Sequence, residues 1–174
     1  FRGEALPSIA SIWMTSAKSS YNNSDSHILD IHGGKQVKFE PIRQINGTNI
    51  EIKNLFYNVP ARRKFLKKPE TEQGLINSTF RRYMLSNSNI SFKLQNNNKI
   101  TYNVKAESLS DRIGSIYGNN FKKNIIEISY KKESYNISGY IGNLSLVKKN
   151  KNEQYLYLNG RFIKDRLLSS AIYS

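Results

Sequence analysis

Cysteine is absent from this chain, so neither a disulfide framework nor a thiolate metal site can form. Histidine occurs only at His27 and His32, both in strand-like surroundings, which leaves a catalytic zinc site without its usual ligands. No stretch approaches the ~18 consecutive apolar residues that a membrane span needs. The basic start, apolar core and small-residue cut site of a signal peptide are also missing. Acidic residues are few, 13 against 27 Lys and Arg, which gives a formal net charge of +14. The chain opens on Phe1 rather than Met and closes in a helical pattern near Tyr173, so it is expected to be cut at both ends.

With 174 residues, 38% hydrophobic and 23% charged, the chain has the composition of a soluble globular protein, one domain or parts of two. Its charge has two readings. Attraction to a polyanion, most simply DNA or RNA, is one. The other is compositional, because Lys, Asn, Ile and Tyr are all abundant, as an AT-rich coding sequence would produce. Charge alone leaves both open.

The apolar pattern predicts an α+β chain. Residues 4–12 read as a short helix, with Pro7 in its first turn where a missing N–H is tolerated. Residues 13–19 read as a strand and 21–26 as a polar loop. Alternation at Leu29 and Ile31, then Val37 and Phe39, predicts a hairpin turning at Gly33-Gly34. A further strand covers 48–53. Pro60 opens a short helix to residue 67, and a longer one follows over 71–86. There Leu75, Ile76, Phe80, Tyr83 and Met84 form a stripe expected to pack on a sheet. Strands are then expected around Ile90 to Leu94 and Ile100 to Val104, with a helix capped by Ser110 and stopped by Gly118. Strands at 125–130, 135–141 and 154–158 precede the Asn159-Gly160 turn, a return strand from Phe162, and a helix from about Asp165.

Three segments carry chemical possibilities. Phe1-Arg2-Gly3-Glu4-Ala5-Leu6 puts a glycine just before a helix start, where free N–H groups suit phosphate and Arg2 could add a forked donor. Glu4 fits equally as an ordinary first-turn acid. Thr48, after Gly47, has a hydroxyl able to hold a base or a bridging water, or is simply a β-branched residue opening a strand. Arg62, Arg63, Lys64, Lys67 and Lys68 cluster with Phe56, Tyr57, Phe65 and Leu66. Helical spacing keeps those cations off a single face, and the apolar members are expected to anchor the helix in the core. Arg161, Lys164 and Arg166 sit at a hairpin end that could meet a DNA backbone, or are merely solvated.

In this order the segments resemble the MutL family of DNA mismatch-repair ATPases, across essentially the whole chain. Phe1 to Leu6 is similar to that family's third ATP-site motif. Gly47-Thr48 with Leu55-Phe56-Tyr57-Asn58-Val59-Pro60-Ala61-Arg62-Arg63-Lys64-Phe65-Leu66 is similar to its most specific run. Tyr157-Leu158-Asn159-Gly160-Arg161-Phe162-Ile163-Lys164-Asp165 matches its transducer motif. Pro7 stands where a small residue such as Ala is usual, and Val59 where Thr is usual; neither removes a functional group from a contact.

The resemblance implies that residues 1–68 are the end of a GHKL ATPase α/β sandwich. Residues 69–174 would be a transducer domain of the ribosomal S5 domain 2-like fold, truncated at its C-terminus. Arg2, Gly3 and Glu4 would belong to the lid over the triphosphate of ATP, and Thr48 would help hold adenine through water. Gly3 and Thr48 are then expected to border one nucleotide cavity. Lys67 and Arg166, with Arg161 beside them, would contact DNA. The acidic base, the magnesium-binding Asn and the Asp-x-Gly-x-Gly adenine motif would lie before Phe1, and the γ-phosphate lysine beyond Ser174. The segment alone is therefore expected not to hydrolyse ATP. By the same resemblance the parent is a homodimer in the bacterial cytoplasm. It would bind DNA and work with a MutS-type mismatch-recognition protein, a strand-incision endonuclease and a repair helicase. Two other readings remain: a free-standing basic nucleic-acid-binding module of the S5-like half, and a GHKL ATPase outside repair, such as a topoisomerase subunit.

Overall fold

Alternating apolar residues give the first part of the chain a sheet, and the glycine pair supplies its tightest turn. A computed structural model describes residues 4–21, 25–147 and 153–172. The chain divides into two units, Phe1–Pro69 and Glu70–Ser174.

In the first unit, α1 (Ala5–Ala10) leads into β1 (Met14–Ser19). It is followed by β2 (Ser26–His32), β3 (Lys35–Ile42) and β4 (Thr48–Lys53). These four strands form one antiparallel sheet in the order β3-β2-β1-β4. Gly33 and Gly34 have φ of +57° and +83°, left-handed values that a side chain would resist, and so close the β2–β3 hairpin. The register sets Ala17 between Leu29 and Ile50, and Thr15 between Ile31 and Ile52. That makes one face apolar. Ala10, Thr15, Ser26 and Ile28 are buried, whereas Phe39, Ile50 and Ile52 remain exposed.

The helix expected over 60–67 is shorter. It is α2 (Pro60–Arg63), extended only by turns in which Phe65 N and Leu66 N donate to the Arg62 and Arg63 carbonyls. It has no buried residue to prolong it, and Pro69 disfavours helical backbone at the residue before it.

The second unit holds all of α3 (Pro69–Ser86) but its first residue, and the partner of that helix is the hairpin of β5 (Phe92–Asn96) and β6 (Lys99–Val104). Phe80 meets the Phe92 ring edge-on at 5.7 Å and stacks on Tyr102 at 6.1 Å. Met84 and Leu85 are buried beside it. The expected stripe is thus narrower than predicted, because Leu75, Ile76 and Tyr83 stay exposed.

Next come α4 (Leu109–Tyr117) and α5 (Asn119–Lys123). The cap of α4 is Ser108, not Ser110: its hydroxyl accepts from Asp111 N at 3.1 Å. Gly118, with φ +95°, does end α4, but it starts α5 as well, a helix the periodicity did not reveal.

The β7 (Ile125–Lys132) and β8 (Tyr135–Gly142) hairpin follows, then a 3-10 turn at Leu144–Leu146. The short β9 (Leu156–Leu158) and β10 (Arg161–Ile163) pair around Asn159-Gly160. Helix α6 (Arg166–Ala171) closes the described residues. Ile126 faces Ile141 and Tyr130 faces Ile137 across β7–β8, and all four are exposed.

Arg112 organises the core of this unit. It is fully buried, and its guanidinium donates to the carbonyls of Met84, Ser88, Ile90 and Lys105. Its Nε donates to Glu107 at 2.8 Å. One charge therefore satisfies an orphan carbonyl in the last turn of α3, Met84 O, and pins two loops.

Candidate functional site

Thr48 opens β4 directly opposite Ser19, the last residue of β1. Their hydroxyls hydrogen-bond at 2.7 Å. Gly47 sits in the left-handed region at φ +76°, and its carbonyl accepts from Ser20 N at 3.1 Å. A side chain at Gly47 would meet nothing within 4 Å, so this corner of the sheet is open. A hydroxyl that makes one bond to a second hydroxyl keeps further hydrogen-bonding capacity, which suits a water or a heterocycle edge. Ser19 is the partner of Thr48 that sequence reasoning missed; only the strand register reveals it.

Arg2 and Gly3 lie outside the described residues. Glu4, the first described residue, precedes α1 and makes no side-chain cap bond there; its carbonyl accepts from Ser8 N at 3.1 Å. Among the described residues no hydrogen bond joins Glu4 to Thr48.

The Leu55 to Leu66 run splits into two parts. Its first part is a fastening. Asn54 and Phe56 have positive φ values of 54° and 59°, held by bonds from Tyr57 N to Asn54 O and from Val59 N to Phe56 O. Phe56 meets the Trp13 ring edge-on at 6.0 Å, and Asn58 Nδ2 donates to Ser11 O at 3.1 Å. Tyr57 lies against the hairpin turn so closely that a Cβ on Gly33 would come within 2.6 Å of its hydroxyl. Gly33 N and Gly34 N donate to Trp13 O and Ala10 O. The motif thus ties the end of α1, the β2–β3 turn and the approach to α2 together.

The second part is different. Arg62, Arg63, Lys64, Lys67 and Lys68 are all exposed, and so are Leu66 and Phe65, the latter at 84%. The expectation that the apolar residues here anchor a helix in the core is corrected: Phe56 is the anchor, and Phe65 is not. Lys67 falls in this exposed stretch of the first unit.

Arg161 and Arg166 lie in the second unit, at the start of β10 and of α6. Asn159 and Gly160 have φ of +50° and +77°, as a two-residue hairpin turn demands. Tyr157 donates its hydroxyl to Arg82 O at 2.8 Å, and Phe162 lies under the Arg82 guanidinium at 4.3 Å. The hairpin is therefore seated on α3. Asp165 accepts from Leu168 N at 2.8 Å and caps α6. Burial, reinforced by Tyr155, pushes the Tyr117 hydroxyl above its ordinary range, and Tyr117 donates to Tyr155 at 2.7 Å. Burial likewise pushes the Tyr157 hydroxyl up.

Among the described residues no group of three or more His, Asp or Glu could hold a metal ion. No described helix is long and apolar enough to cross a membrane.

The family model described as the C-terminal domain of DNA mismatch repair proteins matches residues 113–174. The chain is 42% identical to the DNA mismatch repair protein MutL of Clostridium perfringens, over 99% of this chain and 26% of that protein. It is 38% identical to MutL of Clostridium acetobutylicum, over 99% of this chain and 28% of that one. Among solved structures, the Aquifex aeolicus MutL ATPase domain complexed with ADP is similar with a TM-score of 0.81 and 25% identity. That match covers 98% of this chain and 66% of the other. The chain spans about a quarter of the length of the curated relatives it matches.

Proposed function

From the premise that this chain belongs to the MutL family of DNA mismatch repair proteins, along the quarter of their length that it spans, we propose that it links a nucleotide site to a DNA contact. Residues 1–68 are the end of the GHKL ATPase domain, and 69–174 are the S5 domain 2-like transducer. The single observation carrying this reading is similarity along 99% of the chain to MutL, joined to a fold likeness with an ATPase domain that holds ADP.

In this reading Thr48 presents its hydroxyl, oriented by Ser19, to the adenine of ATP through water. Arg2, Gly3 and Glu4 belong to the lid above the phosphates. ATP supplies a γ-phosphate that orders the lid when bound. Magnesium is held by residues outside this chain. Arg161 and Arg166 on the β9–β10 and α6 corner, with Lys67, contact the DNA backbone. The whole protein works as a dimer with a MutS-type recognition protein, a strand-incision endonuclease and a repair helicase.

Two substitutions in the full-length protein separate the halves. Thr48→Val is expected to weaken ATP binding by up to about tenfold, the value of one hydrogen bond, with DNA binding intact. Arg166→Glu is expected to weaken DNA binding and DNA-stimulated hydrolysis with ATP binding intact. Unchanged ATP affinity in the first, together with unchanged DNA affinity in the second, would reject the proposal.

A further inference from the structure

Asparagine is followed by glycine at two places, Asn46-Gly47 and Asn159-Gly160. Such a pair is chemically labile, because a residue without Cβ leaves its own amide nitrogen open to reach the preceding side-chain amide carbon. The fold decides whether it does. Asn159 and Gly160 are held left-handed, at φ +50° and +77°, in the tight turn closed by the Arg161–Leu158 pairing. Reaching the Asn159 side chain would require the Gly160 nitrogen to rotate out of that turn.

Asn46 and Gly47 are not so restrained. They lie in the bend between β3 and β4, outside both strands, and both are exposed. Nothing comes within 4 Å of the place a Gly47 Cβ would take. No hydrogen bond between described residues uses the Gly47 amide nitrogen or the Asn46 side chain. The flanks of the bend are fixed instead: Ile45 N donates to Ser26 Oγ at 2.9 Å, and Gly47 O accepts from Ser20 N at 3.1 Å.

We infer that Asn46 is a site of spontaneous deamidation, which places a new carboxylate beside the Thr48–Ser19 pair. The Gly47 nitrogen attacks Asn46 Cγ; the N–Cγ bond forms, the Cγ–Nδ2 bond breaks, and the Gly47 proton leaves with ammonia. Water then opens the cyclic imide. Breaking the bond from Gly47 N to the main-chain carbonyl carbon leaves an isoaspartyl link, and breaking the bond to Cγ leaves aspartate. Either product carries a negative charge, and the isoaspartyl link also adds a methylene to the backbone. That insertion falls just before the Ser20–Gly47 bond and the Ser19–Thr48 pairing, where the register of β4 is set. Conversion therefore lowers ATP affinity as the protein ages, a consequence that rests on the reading of Thr48 as an adenine contact.

The test is a time course of the full-length protein in neutral and mildly alkaline buffer, followed by mass spectrometry of tryptic peptides. Cleavage after Arg43 and Lys53 releases Asn46 together with Asn49, and cleavage after Lys151 and Arg161 releases Asn159. Asn46 should convert, faster in alkali because the attacking nitrogen must lose its proton. Isoaspartyl methyltransferase should label the product. Asn49, followed by the β-branched Ile50, should stay intact, and Asn159 should lag behind Asn46. In peptides released first and incubated afterwards, the two Asn-Gly pairs should converge. An intact Asn46 in the folded protein, while its free peptide converts, would overturn the inference. Asn159 keeping pace in the folded protein would sink the structural distinction between the pairs. ATP binding should fall in step with the converted fraction, and Asn46→Gln, whose longer side chain cyclises far more slowly, should retain it. Should Asn46→Gln fail to fold, the wild-type time course decides alone. Conversion with undiminished ATP binding would overturn the consequence and leave the modification standing; if Thr48→Val also binds ATP normally, the adenine reading is what falls.

Discussion

Arg112 shows how much one residue can hold. Its side chain is wholly buried yet each of its three nitrogens is hydrogen-bonded, to four carbonyls in all and to Glu107, whose other oxygen accepts from Ser115 Oγ at 3.0 Å. Replacing it with Met would leave those acceptors dry. Arg112→Met is expected to cost about 3–5 kcal/mol, read as a fall in the urea midpoint. Arg112→Lys should recover only part, since an ammonium cannot reproduce the fork. Gly33 is the second critical position. In Gly33→Ala the left-handed backbone costs about 1–2 kcal/mol, and the new Cβ meets the Tyr57 hydroxyl. Adding Tyr57→Phe removes that oxygen, so the double variant should melt above Gly33→Ala alone. If it melts no higher, the close approach is not what makes alanine costly.

Elements were legible where the residue pattern was local. The period-two runs of β2, β3, β7 and β8 and the glycine and Asn-Gly turns all declare themselves. Helix α5 did not, because Asn119–Lys123 is too short to show a period. Nor could the stripe on α3 show that Leu75, Ile76 and Tyr83 stay exposed, since burial depends on what the helix meets. The same holds at the sites: Thr48 was legible as a motif, whereas its Ser19 partner depends on strand register.

The start of α4 yields a prediction about pH. The Lys122 ammonium, at 2.6 Å, holds the Asp111 carboxyl below its usual range, and the Ser108 hydroxyl adds to the effect. Asp111 holds the Lys122 ammonium above its own usual value. A depressed carboxyl stabilises above its unfolded pKa and loses that contribution as pH falls through its folded one. A raised lysine does the reverse, losing its contribution as pH rises through the raised value. Asp111→Asn should therefore flatten the thermal stability profile below about pH 4 and at the alkaline extreme, leaving the neutral slope unchanged. A profile parallel to wild type in acid would show that the pair contributes nothing.

On the scale of the whole molecule, the boundary between the two units falls beside the exposed basic stretch that carries Arg62, Arg63, Lys64, Lys67 and Lys68. Limited trypsin digestion should cut there before it cuts at Arg81, Arg82 or Arg112, where side chains are bonded or buried. Mass spectrometry of the first fragments checks this, and an early cut inside α3 would contradict the packing of that helix.

The apolar face of β7–β8, with Ile126, Tyr130, Ile137 and Ile141 open to solvent, has a colloidal consequence. A net charge of +14 keeps copies apart at long range, while such faces attract once they touch. Added salt shrinks the repulsive shell to about 8 Å at physiological ionic strength and leaves the short-range stickiness intact. The chain should therefore stay dispersed in dilute buffer and cluster as salt rises. Light scattering would record that trend, and Ile137→Lys, planting a charge on the sticky face, should delay it.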